Sequence, residues 1–230
     1  MLSAAAVMPI MLAAQDVSTH PQRRLVRASG TAVLNAKPDQ ARISIGVTTQ
    51  APTAQEAVAQ NAVRTTAVLN QLKSTLGGKG EIKTSNYSVS PQFRYPKEGG
   101  NPTITGYAAN NTVEVVVNDL SLVGKLIDEG TRSGANSINN IAFTLRDDTT
   151  VLAQAIGQAT RKARANAEAI AAALGVQVVG VAEAETVDFS APIRPMHDMA
   201  VMAKAAVPTP VEAGDLDVTA RVTVALEVSK

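Results

Sequence analysis

Residues 148–175, DTTVLAQAIGQATRKARANAEAIAAALG, decide how the rest of this sequence is read. Leu152, Ala155, Ile156, Ala159, Ala163, Ala167, Ile170 and Leu174 recur at helical spacing and form one apolar stripe. Alanine, the strongest helix former, dominates the segment. Asp147 or Asp148 stands where an N-cap takes up the first free N–H groups. Gly175 stands where a left-handed residue lets the chain leave the helix. A stripe of alanines lets a helix lie close to a sheet but buries little surface of its own. The strands must therefore supply the large side chains, and the expected class is α+β.

The clearest strand closes the chain. Leu216, Val218, Ala220, Val222, Val224, Leu226 and Val228 alternate with polar residues, the period of a half-buried antiparallel strand. A strand of that length needs a long partner. Residues 25–35 and the alternating Ala41, Ile43, Ile45 and Val47 offer two, read as a hairpin about Lys37-Pro38-Asp39. A helix follows from residue 54, where Thr53 and Glu56 have capping-box spacing. Its stripe is Ala54, Ala57, Val58, Ala62, Thr65, Leu69, Leu72 and Leu76, and Gly77-Gly78 ends it. Strands are expected over residues 81–94, with Tyr87, Val89 and Phe93 on one face, and 103–118, with Val113, Val115 and Val117. A short helix carries Val123, Leu126 and Ile127 after a cap at Asn118 or Asp119, and ends near Gly134. A strand over residues 138–146 precedes the alanine helix, and one through Val176, Val178 and Val181 follows it. Residues 188–214 hold four prolines and several methionines and read as a long irregular excursion.

The expected architecture is two lobes with antiparallel or mixed sheets, each packed with helices. The C-terminal strand returns to the N-terminal sheet. Residues 24–105 with 182–230 form a discontinuous first lobe, and 106–181 an inserted second. Residues 1–23 stand apart. Residues 2–14 are uncharged and apolar and end on Ala13-Ala14, which reads as the remnant of an export signal lacking its basic start, followed by a flexible lead-in. The bland alternative is a short disordered tail. The run is too short to span a bilayer.

Composition narrows function by exclusion. A formal charge of +1 over 230 residues gives no basic field for nucleic acid. With 3% aromatics and no tryptophan there is no base-stacking platform. The absence of cysteine excludes disulfides, thiolate metal sites and cysteine nucleophiles, and fits any compartment, including an oxidising one.

No catalytic constellation emerges. Arg146, Asp147 and Asp148 read as a helix cap rather than an acid–base pair. Arg161, Lys162 and Arg164 lie mid-helix and read as a solvated face, with Arg164 and Glu168 spaced for an i,i+4 pair. Gly77, Gly78 and Gly80 follow a helix and precede a strand, the reverse of a phosphate loop. His20 and His197 have no nucleophile elbow beside them. One cluster is unusual: Met196, His197, Met199 and Met202 together offer soft ligands for Cu(I). The favoured reading of the same residues is an adaptable apolar contact between subunits. No cofactor is expected.

Gly30, Pro38-Asp39, Ala41, Val47, Ala57, Asn61, Ile82-x-Thr84, Gly106-Tyr107, Gly134-x-Asn136-x-Ile138, Phe143, Lys162-Ala163, Ala167 and Leu174-Gly175 form an ordered set. In that order and spacing the chain resembles the SIMPL-domain family, also called DUF541, of bacterial periplasmic and outer-membrane-associated proteins. Two positions depart from the pattern: Ala32 replaces a second glycine, and Ala213-Gly214 stands for Pro-Gly. The resemblance implies an exported, two-lobed, non-enzymatic protein that forms homo-oligomers and acts in envelope or oxidative-stress physiology. Peripheral envelope association is implied with it, and no catalytic residue is carried over.

Overall fold

In chain order the elements are β1 (Leu25–Ala36), β2 (Gln40–Ala51), α1 (Ala54–Leu76), β3 (Gly80–Arg94), β4 (Thr103–Val117), α2 (Val123–Arg132), β5 (Ser137–Thr144), α3 (Thr149–Ala173), β6 (Gln177–Ser190), β7 (Arg194–Pro195) and β8 (Leu216–Ser229). A 3-10 turn, Leu120–Leu122, leads into α2. They are seen in a computed structural model that describes residues 23–96, 99–190, 194–195 and 209–230. Two antiparallel sheets result, ordered β1-β8-β6 and β3-β4-β2-β5-β7. The α+β class and the return of the C-terminal strand to the N-terminal strand are as expected.

The alternation in β8 becomes the centre of the first sheet. β1 pairs with it along its whole length, from Leu25 opposite Glu227 to Ala36 opposite Leu216. Val218, Ala220, Val222, Val224 and Leu226 are buried under α3. The helix touches the sheet through Ala155, Ala159, Ala163, Ala167 and Ala171, every fourth residue. A single i,i+4 row drifts around an α-helix, because four residues overshoot one turn of 3.6. The helix therefore crosses the sheet obliquely. Ile170 and Leu174, expected in the buried stripe, are instead 41% and 65% exposed. Gly30 lies beneath the crossing. A Cβ built on it would stand 2.3 Å from both the Ala159 oxygen and the Ala163 nitrogen.

The second sheet carries α1 and α2 and the larger aliphatic core. Ile43, Ile45, Leu72, Val113, Val115, Val117, Val123 and Leu126 are fully or almost fully buried there. β1 and β2 are not a hairpin, which corrects the reading of Lys37-Pro38-Asp39. Proline and aspartate fix a break in the chain but not what the next strand pairs with. Asp39 is bound instead to the end of β5: its N–H donates to the Thr144 carbonyl at 3.2 Å, and its carboxylate accepts from the Arg146 N–H at 2.7 Å. The linker thus crosses from one sheet to the other. Sheet membership does not follow the expected lobe bounds either. β2, α1 and β3 belong with β4, α2 and β5, whereas α3 and β6 lie with β1 and β8. Residues 188–190, read as part of an irregular excursion, continue β6.

Helix α1 is capped as its sequence indicates. Thr53 accepts from the Glu56 N–H at 3.2 Å, and Gly77 takes a left-handed φ of 54°. Its buried row is Ala57, Asn61, Thr65, Val68, Leu72 and Leu76; Leu69 packs against the core at its margin, while Ala62 is exposed and Asn61 takes its place. Asn61 is fully buried because its amide joins two strands. It donates to the Val47 carbonyl at 2.8 Å and to the Ala109 carbonyl at 2.9 Å, and its oxygen accepts from the Thr65 hydroxyl. Asn61→Ala removes one donor from each of two buried carbonyls. The expected loss is about 2–4 kcal/mol, read as a shifted urea midpoint with an unchanged slope. A loss within experimental error would show that the two carbonyls are satisfied some other way.

Candidate functional site

The residues singled out in the sequence do not converge. At the start of α3, Asp147 rather than Asp148 supplies the side-chain cap, its carboxylate accepting from the Thr149 N–H at 2.9 Å. Hydrogen bonds from Thr149 hold the Asp147 carboxyl below the usual range. The cap is intact, and no ion pair links Arg146 to either aspartate among the described residues. The three mid-helix cations point to separate tasks. The Lys162 ammonium donates to the Thr31 carbonyl of β1 at 3.1 Å. Arg164 pairs with Glu168 at 2.7 Å, as their spacing indicates. Arg161 lines a shallow open depression with Thr150, Gln154 and Gln158 along one flank of the helix. Gly77 and Gly78, at φ 54° and 84°, close a turn into β3.

Met196, His197, Met199, Met202 and His20 lie outside the described residues. The structure shows how the chain enters and leaves that stretch. Arg194 and Pro195 pair with Phe143 and Ala142 of β5. On the return, Thr209 bonds Asp128 of α2, its hydroxyl donating at 2.7 Å. The Thr209 carbonyl oxygen lies 2.6 Å from where a Cβ on Gly124 would stand, so glycine permits that approach. Val211 then packs on the larger core. Both ends of the methionine-bearing stretch are thus fastened to the second-sheet lobe. Among the described residues no three histidines, cysteines or carboxylates gather to hold a metal ion.

The feature sequence reading missed is at the other edge of that lobe. β2 accompanies β4 only to Ala51 opposite Tyr107. β3 and β4 pair onward to Arg94 opposite Thr103, so their far ends project as a two-stranded arm. Tyr87, Val89 and Phe93 share one face, as expected, but nothing described covers them: they are 52%, 38% and 47% exposed. Ile104 and Tyr95 extend the apolar strip at the tip. Their alternation resembles that of a buried face. The signal that could have distinguished them is β3's position at the end of the strand order, which no local pattern encodes.

The opposite end of the β3–β4 pair, where β3 begins, is held by charge. Lys79 pairs with Asp119 at 2.9 Å, and Asp119 accepts from the Ser121 hydroxyl and N–H. Those bonds, Ser121 first and then Lys79, keep the Asp119 carboxyl below its ordinary value. Glu81 is lowered likewise by its neighbour Lys83.

With the geometry in place, the comparisons agree with it. Residues 26–226 match the family described as SIMPL, a protein of unknown function (DUF541). The chain belongs to the SIMPL family. A 26 kDa periplasmic immunogenic protein of Brucella melitensis is 31% identical over 199 residues, covering 85% of this chain and 78% of that protein. A protein of Edwardsiella ictaluri called YggE is 28% identical over 177 residues, covering 76% and 74% respectively. The Escherichia coli K12 YggE is 29% identical over 142 residues, 62% of this chain and 57% of that one. Among the described residues, no helix of this SIMPL protein is long and apolar enough to cross a membrane.

Proposed function

We propose that this chain is an exported, periplasmic protein of the cell envelope that works as an assembly of several copies and catalyses no reaction of its own. Residues 1–14 then serve in its export, and the mature chain starts near Gln15. The location rests on the SIMPL match and on the Brucella relative whose name places it in the periplasm. The assembly rests on one observation, the exposed apolar strip of β3 and β4. Apolar surface gathered in one place on a folded protein marks an interaction site. A non-catalytic role is supported by the separation of Asp147, Lys162, Arg164 and Asp128, each already held by a structural partner. A part in envelope integrity under oxidative stress suits a mature chain that has no thiol to lose and keeps Met196, Met199 and Met202, since methionine takes up oxidant reversibly.

Sedimentation velocity on the mature chain across a wide concentration range tests the assembly. Species larger than one protomer are expected at micromolar concentration and above. A single protomer-sized boundary throughout would overturn it.

A further inference from the structure

Each sheet has two edges, and among the described residues three of the four are blunted against strand addition. On β1, Asn166 and Lys162 of α3 donate to the Ser29 and Thr31 carbonyls at 2.9 and 3.1 Å, occupying main-chain acceptors of that edge. β6 is broken by three register shifts and carries Glu183 and Glu185. β7 is two residues long and ends on Pro195. β3 is different. It has 15 residues, a bulge at Ser85, a second register shift against β4 between Gln92 and Phe93, and one proline, Pro91, but no charge anywhere in residues 84–93, TSNYSVSPQF. The apolar strip of Tyr87, Val89 and Phe93 runs along it.

We propose that β3 docks on β3 of a second copy, the two strands pairing antiparallel about a two-fold axis at Ser88. The proposal rests on the assembly reading above and names its surface. Its register follows from the sequence. With the axis at Ser88, Tyr87 stands opposite Val89 of the other copy. Pro91, which has no N–H, falls opposite the bulge at Ser85, where the ladder is already interrupted. Beyond the bulge the count shifts by one, so Phe93 meets Ile82 and Arg94 meets Glu81. An apolar pair and an ion pair are then matched, with Lys83 left opposite the neutral Gln92. Moving the axis to Val89 places Arg94 opposite Lys83, like charge against like. Moving it to Tyr87 carries Arg94 past the start of β3 at Gly80 and loses its pair with Glu81, so the ends of β3 favour the register centred on Ser88. The helix-bearing faces of both copies lie on the same side of a sheet that runs on across the junction, and the exposed apolar strips become contiguous.

The absence of cysteine from the chain gives a direct test. In the full chain, Ser88→Cys puts two thiols opposite each other at about 4.5–5.5 Å between Cα atoms, within disulfide reach. Ser90→Cys leaves its two thiols four residues out of register, about 13 Å apart. Under mild oxidation, covalent dimer is expected to dominate for Ser88→Cys and to stay below a tenth of that yield for Ser90→Cys. Val89→Lys sets a charge at the junction in both copies, and at least tenfold weaker association is expected with an unchanged circular dichroism spectrum. If the unmodified chain assembles but Ser88→Cys does not cross-link, the β3 edge is overturned and the assembly reading stands. Equal cross-linking at 88 and 90 overturns the register. A chain that sediments as a single protomer overturns both.

Discussion

Replacing Gly30 by valine is expected to cost about 3 kcal/mol or more, although the position lies in a strand where valine is ordinarily preferred. The reason is the helix above it. A Cβ at residue 30 would lie 2.3 Å from two main-chain atoms of α3 and 2.9 Å from the Lys162 Cβ. Backbone cannot rotate away as a side chain can, so α3 must lift from the sheet. Lifting the helix opens gaps along Ala155, Ala159, Ala163, Ala167 and Ala171, whose small side chains cannot reach across. It also lengthens the Lys162 and Asn166 bonds to the β1 carbonyls. Gly180→Ala is the control, because nothing lies within 4 Å of a Cβ built there. That change is expected to move stability by less than about 0.5 kcal/mol. Denaturant unfolding of both variants decides the matter, and equal effects would show that α3 does not rest on Gly30.

The contrast between these glycines shows what was legible in the sequence. Helices and strands were legible because burial imposes a period, and in β8 and β2 the period is clean. Caps at Thr53 and Gly77 were legible because they answer to local chemistry. Pairing was not. The Lys37-Pro38-Asp39 break looks the same whether the chain folds back on its own strand or crosses to another sheet, and only the bonds from Asp39 to β5 make it cross. Asn61 was missed as a core residue because its place there depends on two carbonyls 14 and 48 positions away. That the apolar face of β3 is exposed was not legible for a related reason, since alternation reports a strand with one apolar face but not what covers that face. The methionine cluster was conspicuous in the sequence, yet it lies beyond the described residues, and the structure shows only where its flanking segments are fastened.

Val222→Asp is expected to destabilise the protein by about 4 kcal/mol or more, the sum of lost apolar burial and the cost of placing a carboxyl among alanines. Val222 is 3% exposed, opposite Gly30 in β1 and beneath α3. The next residue gives the comparison. Thr223 faces away from the helix, where its hydroxyl meets that of Ser29 at 2.9 Å on an exposed surface. Thr223→Asp is expected to cost no more than about 1 kcal/mol. The pair also differs in its response to pH. Burial raises the folded pKa of an aspartate at 222 above its unfolded value, so between the two values the folded chain holds the proton more often. Stability then falls as the pH rises through that window, and the deficit of Val222→Asp is smallest in acid and levels off above the folded pKa. A surface aspartate at 223 shows no such trend. Chemical unfolding of both variants at several pH values tests the face assignment of β8 residue by residue. A truncation at Gly214 tests the whole strand, since without β8 neither β1 nor β6 keeps a partner in its sheet. Similar losses for the two aspartates, or a soluble and cooperatively folded truncation, would contradict the placement of β8 at the centre of that sheet.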